Sequence, residues 1–161
     1  MSGWFERFGF AQVGDGLLVG AYPVDADDVA ALADAGADVL VNLCEDVEYR
    51  DGQRDALAMA LETAGIEERR LPVPDYGHLP AEHIERAVGE VTTELEAGRR
   101  VYLHCRAGWQ RSATIAAGAV AVREGVDARD ALARVRERKP TAEPMAHQRA
   151  DLLAWWDERA R

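Results

Sequence analysis

The stretch from Val101 to Glu124 limits most sharply what this chain can fold into. A short unbroken apolar run, Val101-Tyr102-Leu103, passes through one tight loop into a segment, Ser112 to Glu124, that is apolar nearly all round a helix. A run without alternation marks a strand buried on both faces, and a helix without a polar face has to lie inside the molecule. A mostly parallel sheet covered by helices satisfies both demands. The remaining pattern agrees. Leu17-Leu18-Val19 follows the turn Gly14-Asp15-Gly16 as a strand, and Val39 to Leu43 is a second buried-strand run. Asp27 to Ala35 reads as a helix closed by Gly36, with Val29, Leu32 and Ala33 inward. Gln53 to Ala64 is a helix ended by Gly65, Ile66 to Leu71 returns as a strand, and Pro72 and Pro74 break it. A long helix runs from Pro80 to Ala97 with Ile84, Val88, Val91 and Leu95 on one face, and two more cover Ala128 to Arg138 and Ala146 to Arg159. The expected fold class is α/β: a central twisted, mostly parallel sheet of four to five strands flanked by helices, in one domain over residues 1–161.

With 161 residues, 48% of them apolar, the chain can bury one sizeable core. Its 29 acidic residues outnumber 19 basic ones for a net charge of -10, and Lys139 is the only lysine. Such a field argues against nucleic acid or an anionic membrane as partner, because both demand a positive surface. It fits a solvated acidic surface, or in a sharper form adaptation to a high-salt host. Met1 to Phe10 carries Glu6 and Arg7 among its apolar residues, so it reads as neither a secretion signal nor a membrane span, and a cytoplasmic location is expected. Two cysteines cannot form a disulfide framework, so each is read separately.

One of them, Cys105, lies in the loop His104-Cys105-Arg106-Ala107-Gly108-Trp109-Gln110-Arg111-Ser112, between the buried strand and the buried helix. Ligands of α/β sheets bind at such carboxyl ends of strands. The His-Cys-x5-Arg-Ser pattern, with glycine three residues after the cysteine, resembles the active-site signature of the protein tyrosine and dual-specificity phosphatases. Leu17 to Pro23, Val39 to Leu43 and Ala131 to Pro140, with Arg134, Arg136 and Arg138, resemble further segments of the small atypical members. Physical chemistry points the same way. Amides of a concave loop and the positive end of the following helix attract phosphate, Gly108 lets the loop curve, and Arg111 can grip two oxygens with its planar fork. The same field favours the thiolate, the reactive form of a cysteine. Attack by Cys105 on phosphorus gives a phosphocysteine, while the loop amides and Arg111 take up the equatorial charge. The resemblance further implies that Ser112 donates to the sulfur, that His104 orients the loop without moving protons, and that Arg106, Ala107, Gly108, Trp109 and Gln110 complete the phosphate-binding loop without a cofactor. Trp109 and Gln110 replace the small residues commoner there; Trp109 is expected at the pocket rim, stacking on a substrate ring, the alternative being a cap on the core.

The leaving alkoxide or phenoxide needs a proton from a separate loop. Pro72-Val73-Pro74-Asp75-Tyr76-Gly77-His78-Leu79-Pro80 resembles the family's general-acid loop, which makes Asp75 the donor and His78 the alternative. His83 and His147 have no companion at ligand spacing, so no metal is expected. Leu43-Cys44-Glu45 resembles a stretch of inositol-lipid phosphatases, and that resemblance implies a redox partnership of Cys44 with Cys105, the alternative being a small buried apolar residue at a strand end. The absence of lysine from the loop argues against a highly phosphorylated lipid. The expected function is hydrolysis of phosphotyrosine, with phosphoserine and phosphothreonine beside it. The alternatives are an inositol phosphate or other small phosphomonoester, sulfur transfer of the rhodanese type, or a phosphate-binding module without catalysis. Tyr76, His78 and Trp109 are expected on the rim, and Trp4, Phe5, Phe8 and Phe10 either pack on the domain or meet a partner.

Overall fold

In the computed structural model, which describes all 161 residues, five strands form one sheet: β1 (Phe10–Gly14), β2 (Leu17–Gly20), β3 (Val39–Asn42), β4 (Glu67–Arg70) and β5 (Val101–His104). Their spatial order is β1-β2-β5-β3-β4, with β1 antiparallel to β2 and all other pairs parallel. The helices are α1 (Gly3–Phe8), α2 (Ala26–Asp34), α3 (Gln53–Ala64), α4 (Ala81–Glu96), α5 (Arg111–Glu124), α6 (Ala128–Arg138) and α7 (Ala146–Arg159).

The unbroken apolar strands take the three central places because successive residues face opposite layers and both layers are covered. Leu17, Val19, Val39, Val41, Val101 and Leu103 share one face and pack with Ile84, Val91, Ile115, Val135 and Leu152 from α4 to α7. Leu18, Leu40 and Tyr102 alternate to the other face, where Phe5, Val29, Leu32, Leu57 and Leu61 from α1 to α3 meet them. A slip of one residue in the pairing of Val19 and Val41 with Leu103 would exchange the two faces, so burial on both sides fixes the register.

The edges depart from the sequence expectations. Phe10–Gly14 is a strand joined to β2 by the Asp15-Gly16 turn, with Gly16 at φ +74° as such a turn requires. The strand expected over Ile66 to Leu71 contracts to the four charged residues of β4 at the sheet edge, where charge discourages pairing with another chain. Ala33, expected inward on α2, is exposed, while Val29 and Leu32 are buried. No helix is long and apolar enough to cross a membrane. The carboxyl ends of β2, β5 and β3 lie side by side, through the pairs Gly20 with His104 and Asn42 with His104, and bring the loops after them to one rim.

Candidate active site

The loop after β5 is built from outward carbonyls. The Cys105 carbonyl accepts from His104 Nδ1 at 2.9 Å. The Arg106 carbonyl accepts from Tyr22 N–H at 3.0 Å and Trp4 Nε1 at 2.9 Å. Trp109 O accepts from Glu143 N–H at 2.7 Å, and Gln110 O from Thr114 N–H and Oγ1. None of the N–H groups of residues 106–110 has an acceptor within the protein. A loop whose carbonyls are tied down outside leaves its amides for an anion, at the N-terminus of buried α5. Gly108 permits this course: at φ +78°, a Cβ there would stand 2.5 Å from the Gly20 carbonyl carbon.

Cys105 lies at the base of this concavity, 3% exposed, with its Sγ 3.1 Å from Ser112 Oγ. A hydroxyl so placed can donate to a thiolate, or to sulfur as it departs from phosphorus. His104 is buried, and burial first, with Arg111 and Arg54 adding, pushes its pKa down to about 4 against the hydrogen bond to Cys105 O and the Glu68 charge. The imidazole is therefore neutral near pH 7 and spends its Nδ1–H on loop geometry, as the orienting role requires.

Arg111 is completely buried. Its Nη1 and Nη2 donate to Glu48 Oε2 and Oε1 at 2.9 and 2.7 Å, and Nη1 also reaches Val73 O at 3.0 Å. Nη2 lies 3.2 Å from Asp75 Oδ1. Its Nε is buried without an acceptor, a donor whose hydrogen bond goes unmade within the protein. Burial works to raise the Glu48 pKa, but Arg111 and the Glu45 backbone N–H outweigh it and hold the carboxylate below its ordinary value. Burial likewise opposes the arginine charge, and Glu48, with the two cysteines, more than offsets it. The structure thus brings together Cys105, Ser112, Arg111 and Asp75, and adds Glu48, which the sequence reading did not single out. Glu48 ends a short 3-10 turn after β3, at the edge where loops converge, and its position after that strand was the one available clue.

Around Cys105 a cavity of about 290 Å³ is lined by Trp4, Asp75, Tyr76, Arg106, Ala107, Trp109 and Gln110. Tyr76 and Trp109 line the rim as expected, but His78 does not: its ring turns away to Asp151 Oδ2 at 2.9 Å. Another wall is Trp4, from α1, so the first ten residues pack on the domain. Arg106 lies over the Trp4 and Tyr22 rings at 5.3 and 5.5 Å. Cys44 is buried and unpaired, and burial, then the charges of Glu48 and Cys105, push its thiol pKa up. His83 Nε2 bonds Leu71 O, and no cluster of three or more His, Cys, Asp or Glu side chains is disposed to hold a metal ion.

Residues that carry those amides line one cavity with Cys105, and this coincidence of anion cradle and nucleophile is what defines the cysteine-dependent phosphatases as an enzyme class. Residues 18–158 match the family described as dual specificity phosphatase, catalytic domain, and the chain belongs to it. It is 32% identical over 95 residues to the dual specificity protein phosphatase Mpk3 of Drosophila melanogaster, a stretch covering 58% of this chain and 23% of that one, so it spans about a quarter of that relative's length. Among solved structures, PTPMT1 in complex with PI(5)P has a TM-score of 0.81 at 21% identity, covering 94% of this chain and 99% of that chain. Tk-PTP in the active form has a TM-score of 0.79 at 23% identity, covering 93% and 97%.

Proposed function

We propose that the protein hydrolyses phosphomonoesters through a phosphocysteine intermediate, with phosphotyrosine preferred and phosphoserine and phosphothreonine secondary. The observation that carries this reading is the loop of unpartnered amides beside Cys105, with Arg111 buried behind it and its Nε left without an acceptor. In the first step the Cys105 thiolate forms a bond to phosphorus as the ester P–O bond breaks, and Asp75 gives its proton to the leaving oxygen. In the second, ionised Asp75 takes a proton from water, the water oxygen attacks phosphorus, and the thiolate leaves with Ser112 donating to it. The equatorial oxygens stay on the amides and Arg111 throughout.

Three aromatic rings around the opening, Trp4, Tyr76 and Trp109, support a preference for a phosphate on a flat aryl group over a ring of phosphorylated hydroxyls. The test is phosphate release from phosphotyrosine peptide, phosphoserine peptide and inositol phosphates. Cys105→Ser is expected to abolish turnover, and Asp75→Asn to lower it roughly 10²- to 10⁴-fold. Fastest turnover of an inositol phosphate would replace the substrate assignment with a small-phosphomonoester one. A folded, inactive wild-type protein would point to a binding module.

The likeness of Leu43-Cys44-Glu45 to inositol-lipid phosphatases, with free Cys44 just past β3 where Leu43 N–H donates to His104 O, supports a redox role for Cys44. Peroxide oxidises the Cys105 thiolate to a sulfenic acid with release of hydroxide, and the Cys44 thiol then displaces water to form a disulfide. Peptide mapping after mild peroxide treatment is expected to find the Cys44–Cys105 bridge, and Cys105 sulfinic acid in its place would end the assignment.

A further inference from the structure

Asp75 sits in a loop with little to hold it from within. Between Pro72 and Pro80 the only internal hydrogen bonds are Gly77 N–H to Pro74 O at 3.3 Å and Tyr76 N–H to Asp75 Oδ1 at 3.1 Å. Tyr76, the next residue, has φ +61° and is the only non-glycine residue of the chain in the left-handed region. A tyrosine is held there only when its surroundings over-determine it.

Those surroundings are the first turns of α7. His147 Nε2 donates to Tyr76 O at 2.9 Å, and Gln148 Nε2 to Gly77 O at 3.3 Å. Asp151 is the central element: Oδ2 accepts Leu79 N–H at 2.8 Å and His78 Nδ1 at 2.9 Å, while Oδ1 accepts the same nitrogen at 3.1 Å. The carboxylate is mostly covered, whereas His78 is three-quarters exposed. Each residue from Tyr76 to Leu79 is thus tied to α7, His78 through both oxygens of Asp151.

The geometry points to Asp151 as a positioning residue for the general acid: it fixes the carboxyl-terminal half of the acid loop and so, together with the Arg111 Nη2 contact to Asp75 Oδ1 at 3.2 Å, the place of the Asp75 carboxyl over the Cys105 cavity. The inference rests on the phosphocysteine reading above. Asp151 touches neither Cys105 nor the phosphate-binding loop. Its loss should therefore affect protonation of the leaving group and leave the attack of sulfur on phosphorus unaffected, because misplacement by about 1 Å suffices to slow a proton transfer.

The test measures kcat/KM over aryl phosphates whose leaving phenols run from weakly to strongly basic, for wild type, Asp151→Ala, Asp151→Asn, His147→Ala and Asp75→Asn. Asp151→Ala is expected to lose roughly tenfold or more on the most basic leaving group and under about threefold on the least basic, steepening the dependence toward that of Asp75→Asn. Asp151→Asn, which keeps an acceptor for Leu79 N–H, should fall between. In the Asp75→Asn background, Asp151→Ala should cost nothing further. Should Asp151→Ala fail to fold by circular dichroism, Asp151→Asn and His147→Ala carry the same comparison. An equal loss on every substrate, or none, overturns the proposal while Cys105-dependent activity keeps the parent reading intact. A folded wild-type protein without Cys105-dependent activity overturns both.

Discussion

Arg111 is a fully buried cation whose two Nη groups are gripped by Glu48, so its orientation toward the loop is set by a side chain that takes no part in the chemistry. Glu48→Gln keeps one oxygen acceptor and replaces the other with a donor facing a guanidinium. It also leaves buried charge less compensated. We expect kcat to fall roughly 10- to 100-fold on an aryl phosphate, and urea unfolding to register a loss of roughly 3 kcal/mol. Unchanged kcat would mean that Val73 O and Asp75 suffice to aim the guanidinium. His104 makes a second prediction, in pH. Its folded pKa, held down to about 4 by burial, lies below the ordinary value of 6.5. The unfolded chain therefore binds the proton first, and stability is lost as pH falls below 6.5 toward 4. Between pH 7.5 and 5 the loss from this residue is about 2 kcal/mol, and His104→Asn should flatten the pH dependence of the urea midpoint over that window. At this scale the catalytic loop was legible because its chemistry demands adjacent residue types, whereas Glu48 was one of 29 acidic side chains and became visible only when a strand-end turn folded it onto Arg111.

α1 has six residues, too few for a helix to persist alone, and tertiary contacts hold it in place. Ser2 N–H and Oγ donate to the buried Asp28 carboxylate at 2.7 and 2.6 Å, Phe5 enters the core, and Trp4 spans from the helix to the catalytic loop. α1 lies before the residues matched to the family, yet it supplies a wall of the pocket. Trp4→Ala removes both the ring and the bond to Arg106 O. We expect KM for an aryl phosphate to rise about three- to tenfold, with a smaller effect on a non-aromatic phosphate, since one aromatic contact contributes roughly 0.5–1.5 kcal/mol. Equal effects on both would show that Trp4 braces the loop and does not contact the ring. Helices α2 to α7 and the apolar strands β2, β3 and β5 were readable, because burial, on one face or all round, is what the pattern encodes. α1 and β1 were not: Trp4 and Phe8 stand at helical spacing, but six residues are too short a window to establish a period, and the conformation of both elements is decided by Asp28, Tyr102 and Arg106, far away in sequence.

Over the whole molecule, 19 basic side chains stand against 29 acidic ones, and most of the arginines already have partners. Arg129 pairs with Asp127 and Asp157, Arg134 and Arg138 with Glu124, and Arg69 and Arg99 with Glu67 and Glu94. These pairs lie near the surface, each worth roughly 0–1 kcal/mol, and salt weakens them. The surplus of acidic groups repels over distances beyond any one pair, and salt weakens that as well, with a screening length of about 10 Å at 0.1 M. The sign of the salt effect thus reports which set dominates. A net charge of -10 on 161 residues favours the repulsion. Raising KCl from about 0.05 to 0.5 M should therefore raise the thermal midpoint by roughly 3–6 °C, the shift expected for 1–2 kcal/mol in a domain of this size. Screening is nearly complete by then, so a solvated acidic surface predicts a plateau above it. A midpoint that keeps climbing into molar KCl would instead mark a surface adapted to a high-salt host. A midpoint that falls would mean that the arginine pairs outweigh the surplus charge, and the repulsion argument would fail.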